Sequence, residues 1–206
     1  MKIYLMRHGE TDANRNKVLQ GQLDIPLNEK GRQQARDAAK ELQGIVFDKI
    51  YSSPLIRAVE TGELASGVDR ENFIMDRRIR EIGFGEAEGK PFASLGAGFS
   101  DFFGAPEKYK PCNGAESFSE LVERVGEFLN EIKTDKEENV LILSHGAAIH
   151  AMLLVIGGYG IDEFWSVNIG NCGICEIEVK DGAYVVTKEC TVCDTYYSEE
   201  VTGKKA

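Results

Sequence analysis

The sequence predicts an α/β layered protein with a largely parallel sheet. Three observations predict it. Short apolar runs alternate with helix-forming stretches. Two of those runs end in His-Gly, at Arg7-His8-Gly9 and Ser144-His145-Gly146. Two late runs of alternating character flank Asp181-Gly182, a strong short hairpin signal. Ligands of such sheets lie beyond the carboxyl ends of the strands.

The first element, MKIYLM at residues 1–6, reads as a short buried strand running into RHGET. NEKGRQQARDAAKELQ, residues 28–43, is rich in helix formers, with Ala35, Ala38, Ala39 and Leu42 at helical spacing. FDKIYSSPLIRAVETGELAS repeats the strand-to-helix step. A strand is expected over residues 47–51, followed by Ser53 as N-cap and Pro54 as the first helical residue, which puts Arg57 in the first turn.

Residues 82–116 follow neither period. They are rich in Gly, Pro and Phe and are expected to cover a face of the sheet as a lid. In ESFSELVERVGEFLNEIK, Phe118, Leu121, Val122, Val125, Phe128, Leu129 and Ile132 recur at offsets of three and four, and Ser117 with Glu120 is spaced as a capping box. The acidic run DKEEN, residues 135–139, reads as a solvated connection to a strand over residues 140–143 and a mostly apolar helix. ICEIEVKDGAYVVTKE then supplies two strands, expected at the sheet edge.

Composition restricts the function. The 206 residues with 42% hydrophobic content suit one globular domain over residues 1–206. With 24 Lys+Arg against 34 Asp+Glu the net charge is −10, which disfavours nucleic acid and anionic membrane surfaces as partners. The richest apolar run, residues 147–156, is interrupted by His150 and too short to span a bilayer, so a soluble, cytoplasmic protein is expected.

Arg7-His8-Gly9, Arg57 and His145-Gly146 all fall at or just after strand ends and can meet above one sheet edge. Two guanidinium forks and two imidazoles in an otherwise acidic protein make a pocket for a dianion, of which a phosphate monoester is the obvious example. Any one of these residues alone reads more simply as structural or solvated; it is their recurrence at strand ends that argues for a shared site.

These stretches also carry a resemblance. LMRHGETDANRNKVLQGQLDIPLNEKGRQQA, YSSPLIRAVET, RIREIGFGEAEG and LILSHG, in this order, resemble the histidine phosphatase superfamily, the phosphoglycerate-mutase-like proteins, over nearly the whole chain. The resemblance implies a three-layer α/β/α sandwich with a mostly parallel central sheet and a covalent phosphohistidine. It implies His8 as nucleophile, Arg7, Arg57 and His145 as the phosphoryl grip and Glu81 as proton donor. Asn14, Gln20, Gly21 and Gly146 are the expected substrate-binding positions. The chemistry is consistent with this: an imidazole attacks phosphorus only while neutral, and transfer needs stabilised oxygens and a proton for the leaving alkoxide. No metal or cofactor is expected.

Three functions are compatible with these residues: a phosphatase, a 2,3-bisphosphoglycerate-dependent phosphoglycerate mutase, and a non-catalytic phosphate-binding protein. The last would be expected to lack His8, His145 or Glu81, and all are present. A mutase must hold a carboxylated phosphate and exclude water, which calls for extra cations in the lid. Residues 81–123 contain no arginine, and the lid offers Phe92, Phe99, Phe102, Phe103 and Tyr109 with only Lys90, Lys108 and Lys110. A phosphatase acting on small phosphate monoesters is therefore expected. The resemblance implies phosphoserine, sugar phosphates and the phosphorylated nucleoside of the cobalamin lower ligand, the substrate of α-ribazole phosphatase, as candidates. Oligomeric state is not legible.

Two features point elsewhere. Cys172-Gly-Ile-Cys175 and Cys190-Thr-Val-Cys193 have the spacing of a zinc ribbon. Residues three apart on a strand point to opposite faces, so a reduced thiol cluster is expected in place of zinc. His145 and His150 are five apart, the wrong offset for a shared metal on a helix, and His150 reads as a packed or rim side chain.

Overall fold

A computed structural model of the chain describes residues 1–96, 99–134 and 136–190. Its six strands are β1 (Lys2–Arg7), β2 (Lys49–Ser52), β3 (Ile74–Met75), β4 (Asn139–Ser144), β5 (Ile174–Lys180) and β6 (Ala183–Lys188), in the order β3-β2-β4-β1-β5-β6. The first four are parallel; β5 and β6 run antiparallel at one edge. Arg7 is in register with Ser144, and Ser52 with Leu143, so β1, β2 and β4 end level with one another.

Alternation along the strands builds a core on each face. Ile3, Leu5, Val140 and Ile142 face one way and pack with helices α5 (Phe118–Ile132) and α6 (Gly146–Gly157). Tyr4, Met6, Leu141 and Leu143 face the other, towards α2 (Glu29–Ala38) and α3 (Ile56–Ser66). Helix, sheet and helix form three layers, as expected. The α5 stripe is buried at Phe118, Leu121, Val125, Phe128, Leu129 and Ile132, and the Ser117–Glu120 capping box forms at its start. In the late hairpin, Asp181 and Gly182 both take positive φ, 51° and 73°, the two-residue turn that their side chains tolerate.

Several boundaries differ from the sequence reading. α2 stops at Ala38, with turns carrying the chain on to Gly44. β2 starts two residues later than expected and extends to Ser52. Ser53 does not cap a helix: α3 begins at Ile56 behind Leu55, which makes no side-chain cap bond, because the Ser53 hydroxyl is engaged by His145 and the Leu55 N–H. Asp24, from a distant loop, accepts the Ile56 N–H at 2.6 Å instead. Two short elements, α1 (Asp12–Arg15) and β3, had no periodic signal to announce them.

Among the described residues of 82–116, expected as a lid, the chain forms single 3-10 turns and a short helix, α4 (Ser100–Gly104). Its rings join a continuous aromatic cluster with Phe118, Phe164 and Trp165; Phe102 alone packs against Phe84, Phe99, Phe103, Tyr109, Phe118 and Trp165.

The reduced thiol cluster is corrected. Cys175 and Cys190 are joined as a disulfide, because the β5–β6 pairing of Glu176 with Lys188 brings the strand ends across from each other. The facing argument applied to Cys172 and Cys175 does not limit a partner from the next strand. Cys193 lies outside the described residues. Among the described residues no group of three or more His, Cys, Asp or Glu is placed to hold a metal ion, and no helix is long and apolar enough to cross a membrane.

Candidate active site

The level ends of β1, β2 and β4 create the site. After β1 the chain turns through His8 and Gly9, held by His8 N–H to the Ser144 carbonyl at 3.0 Å and Gly9 N–H to Thr61 Oγ1 at 3.0 Å. Gly9 is required by close approach: a Cβ there would lie 2.5 Å from the Gly31 carbonyl oxygen, at the start of α2. The His8 carbonyl is held by Asn171 Nδ2 at 2.9 Å and by the Cys172 N–H at 3.3 Å.

His8 is buried, and its Nδ1 lies 2.7 Å from the Gly9 carbonyl oxygen. A carbonyl can only accept, so Nδ1 carries the proton and Nε2 keeps its lone pair. Burial, then the charges of Arg57 and Arg7, hold this imidazole well below its ordinary range, opposed by the Gly9 bond. It is therefore neutral where an ordinary histidine is half charged. His145, the N-cap residue of α6, places its ring centroid 5.1 Å from that of His8. Its Nε2 bonds Ser53 Oγ at 2.7 Å, its Nδ1 has no partner among the described residues, and burial keeps it neutral too.

Arg57 is fully buried in the first turn of α3. Nη1 donates to the Leu23 carbonyl and Nη2 to the Gly21 carbonyl, each at 2.7 Å, while Nε has no partner among the described residues. Burial lowers its pKa to about 10, opposed first by Glu81, so it stays charged at neutral pH. Arg7 donates from Nη1 to the Ile169 carbonyl at 2.6 Å.

Glu81 arrives from the connection after β3. Its Oε1 accepts the Ile82 N–H at 3.0 Å and the Ala148 N–H at 3.3 Å. Desolvation of the carboxyl pushes its pKa up, opposed by the charge of Arg57. That combination holds a proton in the acid range where an exposed carboxylate would have lost it.

Most of these groups line a small cavity of about 50 Å³; His145 does not, and lies behind His8. Arg7, His8, Arg57, Glu81, Asn14, Gln20 and Gly21 form its polar side; Val18, Leu19, Phe84, Phe92, Phe102, Phe103, Ala147 and Trp165 form the rest. The Thr11 hydroxyl accepts the Asn14 N–H at 3.1 Å and has both Asn14 Oδ1, at 3.0 Å, and Gln20 Oε1, at 2.8 Å, in reach of its one proton, which places both amides beside it. Gly146 is not on the cavity wall. It lies behind, where a Cβ would sit 3.6 Å from the Arg7 guanidinium and from Glu81 Oε2. Trp165 was not singled out from the sequence; a single tryptophan far from the motifs carries no spacing signal. Ser53 and Thr61, which hold His145 and the Gly9 turn, are common residue types whose polar partners appear only in the fold.

Fold and site together define an α/β protein with a neutral histidine, two buried arginines and a protonatable carboxyl above the carboxyl ends of its parallel strands. Residues 3–190 match the histidine phosphatase superfamily, branch 1. The chain belongs to that superfamily and is a phosphatase, a hydrolase of phosphate monoesters. It is similar to the phosphatase PhoE of Bacillus subtilis, 34% identical over 85% of this chain and 87% of that one. It is also similar to phosphoserine phosphatase 1 of Hydrogenobacter thermophilus, 32% identical over 94% and 93%. Among solved structures, Bacillus stearothermophilus YhfR superposes with a TM-score of 0.87 at 32% identity, covering 95% of this chain and 98% of that one.

Proposed function

We propose that His8 is the nucleophile, that Arg7, Arg57 and His145 grip the phosphoryl group, and that Glu81 is the general acid and base. The observation that carries this reading is the 2.7 Å contact of His8 Nδ1 with the Gly9 carbonyl oxygen, which calls for a proton on Nδ1 and so leaves Nε2 unprotonated in the neutral ring, in a cavity shared with two guanidinium groups. Nε2 attacks phosphorus, the bond to the ester oxygen breaks, and Glu81 protonates the departing alcohol. Water then attacks phosphorus, the P–N bond breaks, and the Glu81 carboxylate takes the water proton. Phosphate leaves, and His8 is again neutral. The unpartnered Arg57 Nε and His145 Nδ1 are suited to donate to equatorial oxygens, whose charge grows in the transition state. Asn14, Gln20 and Gly21 bound the substrate on the same polar side.

The alcohol chamber supports a small substrate of low charge. Its lining cations are Arg7 and Arg57, both at the phosphate end, and its far wall is aromatic. That favours hydrolysis over a mutase reaction on a carboxylated phosphate. The reading extends to one catalytic domain with residues 82–116 as its lid and to small-molecule esters as partners, with an acidic chain that repels nucleic acid and anionic membranes; the Cys175–Cys190 disulfide, a bond rare in a reducing compartment, weighs against the expected cytoplasmic location.

The test is trapping of an acid-labile, base-stable phosphoenzyme from a labelled monoester. His8→Ala is expected to abolish both label and turnover while the fold remains. Normal turnover by that variant would overturn the covalent mechanism. A panel comparing uncharged alkyl and aryl phosphates with phosphoserine and 3-phosphoglycerate, with and without 2,3-bisphosphoglycerate, tests the chamber.

A further inference from the structure

The proton donor of a phosphatase must meet a leaving oxygen within hydrogen-bond reach, and an error of 1 Å can cost about a hundredfold in rate. Glu81 lies in irregular chain, which by itself does not hold such a position. The structure shows what does. Arg124, two turns into α5, is largely buried and uses all five of its N–H groups. Nη1 donates to the carbonyls of Arg78 at 2.6 Å and Arg80 at 2.8 Å, and Nη2 to the carbonyl of Glu81 at 3.0 Å. Nε and Nη2 also donate to the two carboxylate oxygens of Glu116, at 2.6 and 2.9 Å. Glu116 in turn accepts the Gly83 N–H at 3.0 Å. The one carbonyl skipped, Ile79, takes the hydroxyl of Ser144, the residue before His145, at 2.8 Å. Four successive carbonyls that lead into and include Glu81 are thus fixed to α5 and to the end of β4.

We infer that Arg124 is a positioning residue for the phosphatase reaction, acting through Glu81 by clamping residues 78–81 against α5. It is the planar fork of the guanidinium that matches carbonyls on two sides; a lysine, a single point charge on a flexible stem, cannot bond all five acceptors. Arg124 is not among the residues lining the cavity, and Arg124→Lys keeps the positive charge that also bears on His145, so what that variant changes is the hold on the chain. The inference rests on the reading of Glu81 as proton donor.

The experiment is a double-variant cycle on the full chain, read by single-turnover phosphoenzyme formation from an alkyl phosphate and from p-nitrophenyl phosphate, whose leaving group needs little protonation. Arg124→Lys is expected to slow the alkyl ester by about tenfold or more and the aryl ester much less. In the Glu81→Gln background it is expected to add little, since the group it positions is gone. Equal slowing of both esters by Arg124→Lys, or a full effect retained beside Glu81→Gln, would overturn the inference and leave Arg124 a structural residue. Equal slowing of both esters by Glu81→Gln alone would instead overturn the proton-donor reading, and the inference with it. If Arg124→Lys fails to fold, Glu116→Gln decides: it weakens the anchor of the guanidinium, and the same preference against the alkyl ester is expected at smaller size, equal slowing overturning the inference.

Discussion

Oε1 of Glu81 accepts the backbone N–H of Ala148 at 3.3 Å, tying a carboxyl from irregular chain to the first turn of α6, two residues past the Gly146 that packs behind it. Desolvation raises the pKa of that carboxyl. His8, in the same cavity, is shifted the opposite way. A base kept neutral and an acid kept protonated overlap between the lowered imidazole range and the raised carboxyl range.

Phosphorylation of an alkyl ester should therefore rise with pH through a limb lying well below the ordinary imidazole range, and fall through a limb above the ordinary carboxyl range. Glu81→Gln should remove the falling limb and keep the rising one. Comparing both proteins on one substrate cancels the ionisation of the ester itself. Retention of the alkaline fall in Glu81→Gln would assign that limb to another group.

His150 supplies a stability test. It is buried against Phe164 and Trp165 with Nε2 unpartnered among the described residues, and burial, helped by the charge of Arg7, lowers its pKa to about 3. Between that value and about 6.5 the unfolded chain binds a proton that the folded chain does not. Stability is present above 6.5 and is lost as pH falls, by about 1.4 kcal/mol per pH unit. Between pH 7 and pH 5, His150→Leu should lose about 2 kcal/mol less than the wild type in urea unfolding. His8 and His145, also shifted down, keep the remaining slope. Identical losses in the two proteins would mean that His150 is protonated in the fold.

Gly31→Ala should be costly. A Cβ at Gly31 would strike the Glu10 backbone carbonyl, and neither backbone can yield without moving the turn that carries His8. We expect a destabilisation of about 1–3 kcal/mol together with slower phosphoenzyme formation. A protein with unchanged unfolding midpoint and labelling rate would show that the loop and α2 can separate freely.

Reduction should lower stability without stopping chemistry. The Cys175–Cys190 bond closes a separation of 15 residues, for which chain entropy suggests about 3 kcal/mol. Neither cysteine lines the cavity. Dithiothreitol should thus lower the urea midpoint and leave turnover at room temperature, and EDTA should change neither. Loss of activity on EDTA dialysis, with about one equivalent of zinc in the fresh protein, would replace the disulfide account with a metal site.

Much was written locally. The apolar runs, the Ser117–Glu120 cap and the Asp-Gly turn each act within a few residues, so the layers and the hairpin follow from the sequence alone. So did the proximity of Arg7, His8 and Arg57, because parallel strands deliver their carboxyl ends to one edge. What the tertiary structure decided lies in partners distant along the chain. Ser53 reads as a helix cap until His145, 92 residues later, takes its hydroxyl. Cys175 reads as half of a CxxC until β6 brings Cys190 across from it. Arg124 reads as the polar face of an amphipathic helix until the chain before Glu81 folds against it, some 43 to 46 residues away. A hydrogen bond or disulfide needs its two atoms a few ångströms apart in a set direction, and no periodicity within one segment encodes that distance; only the packing of the layers does.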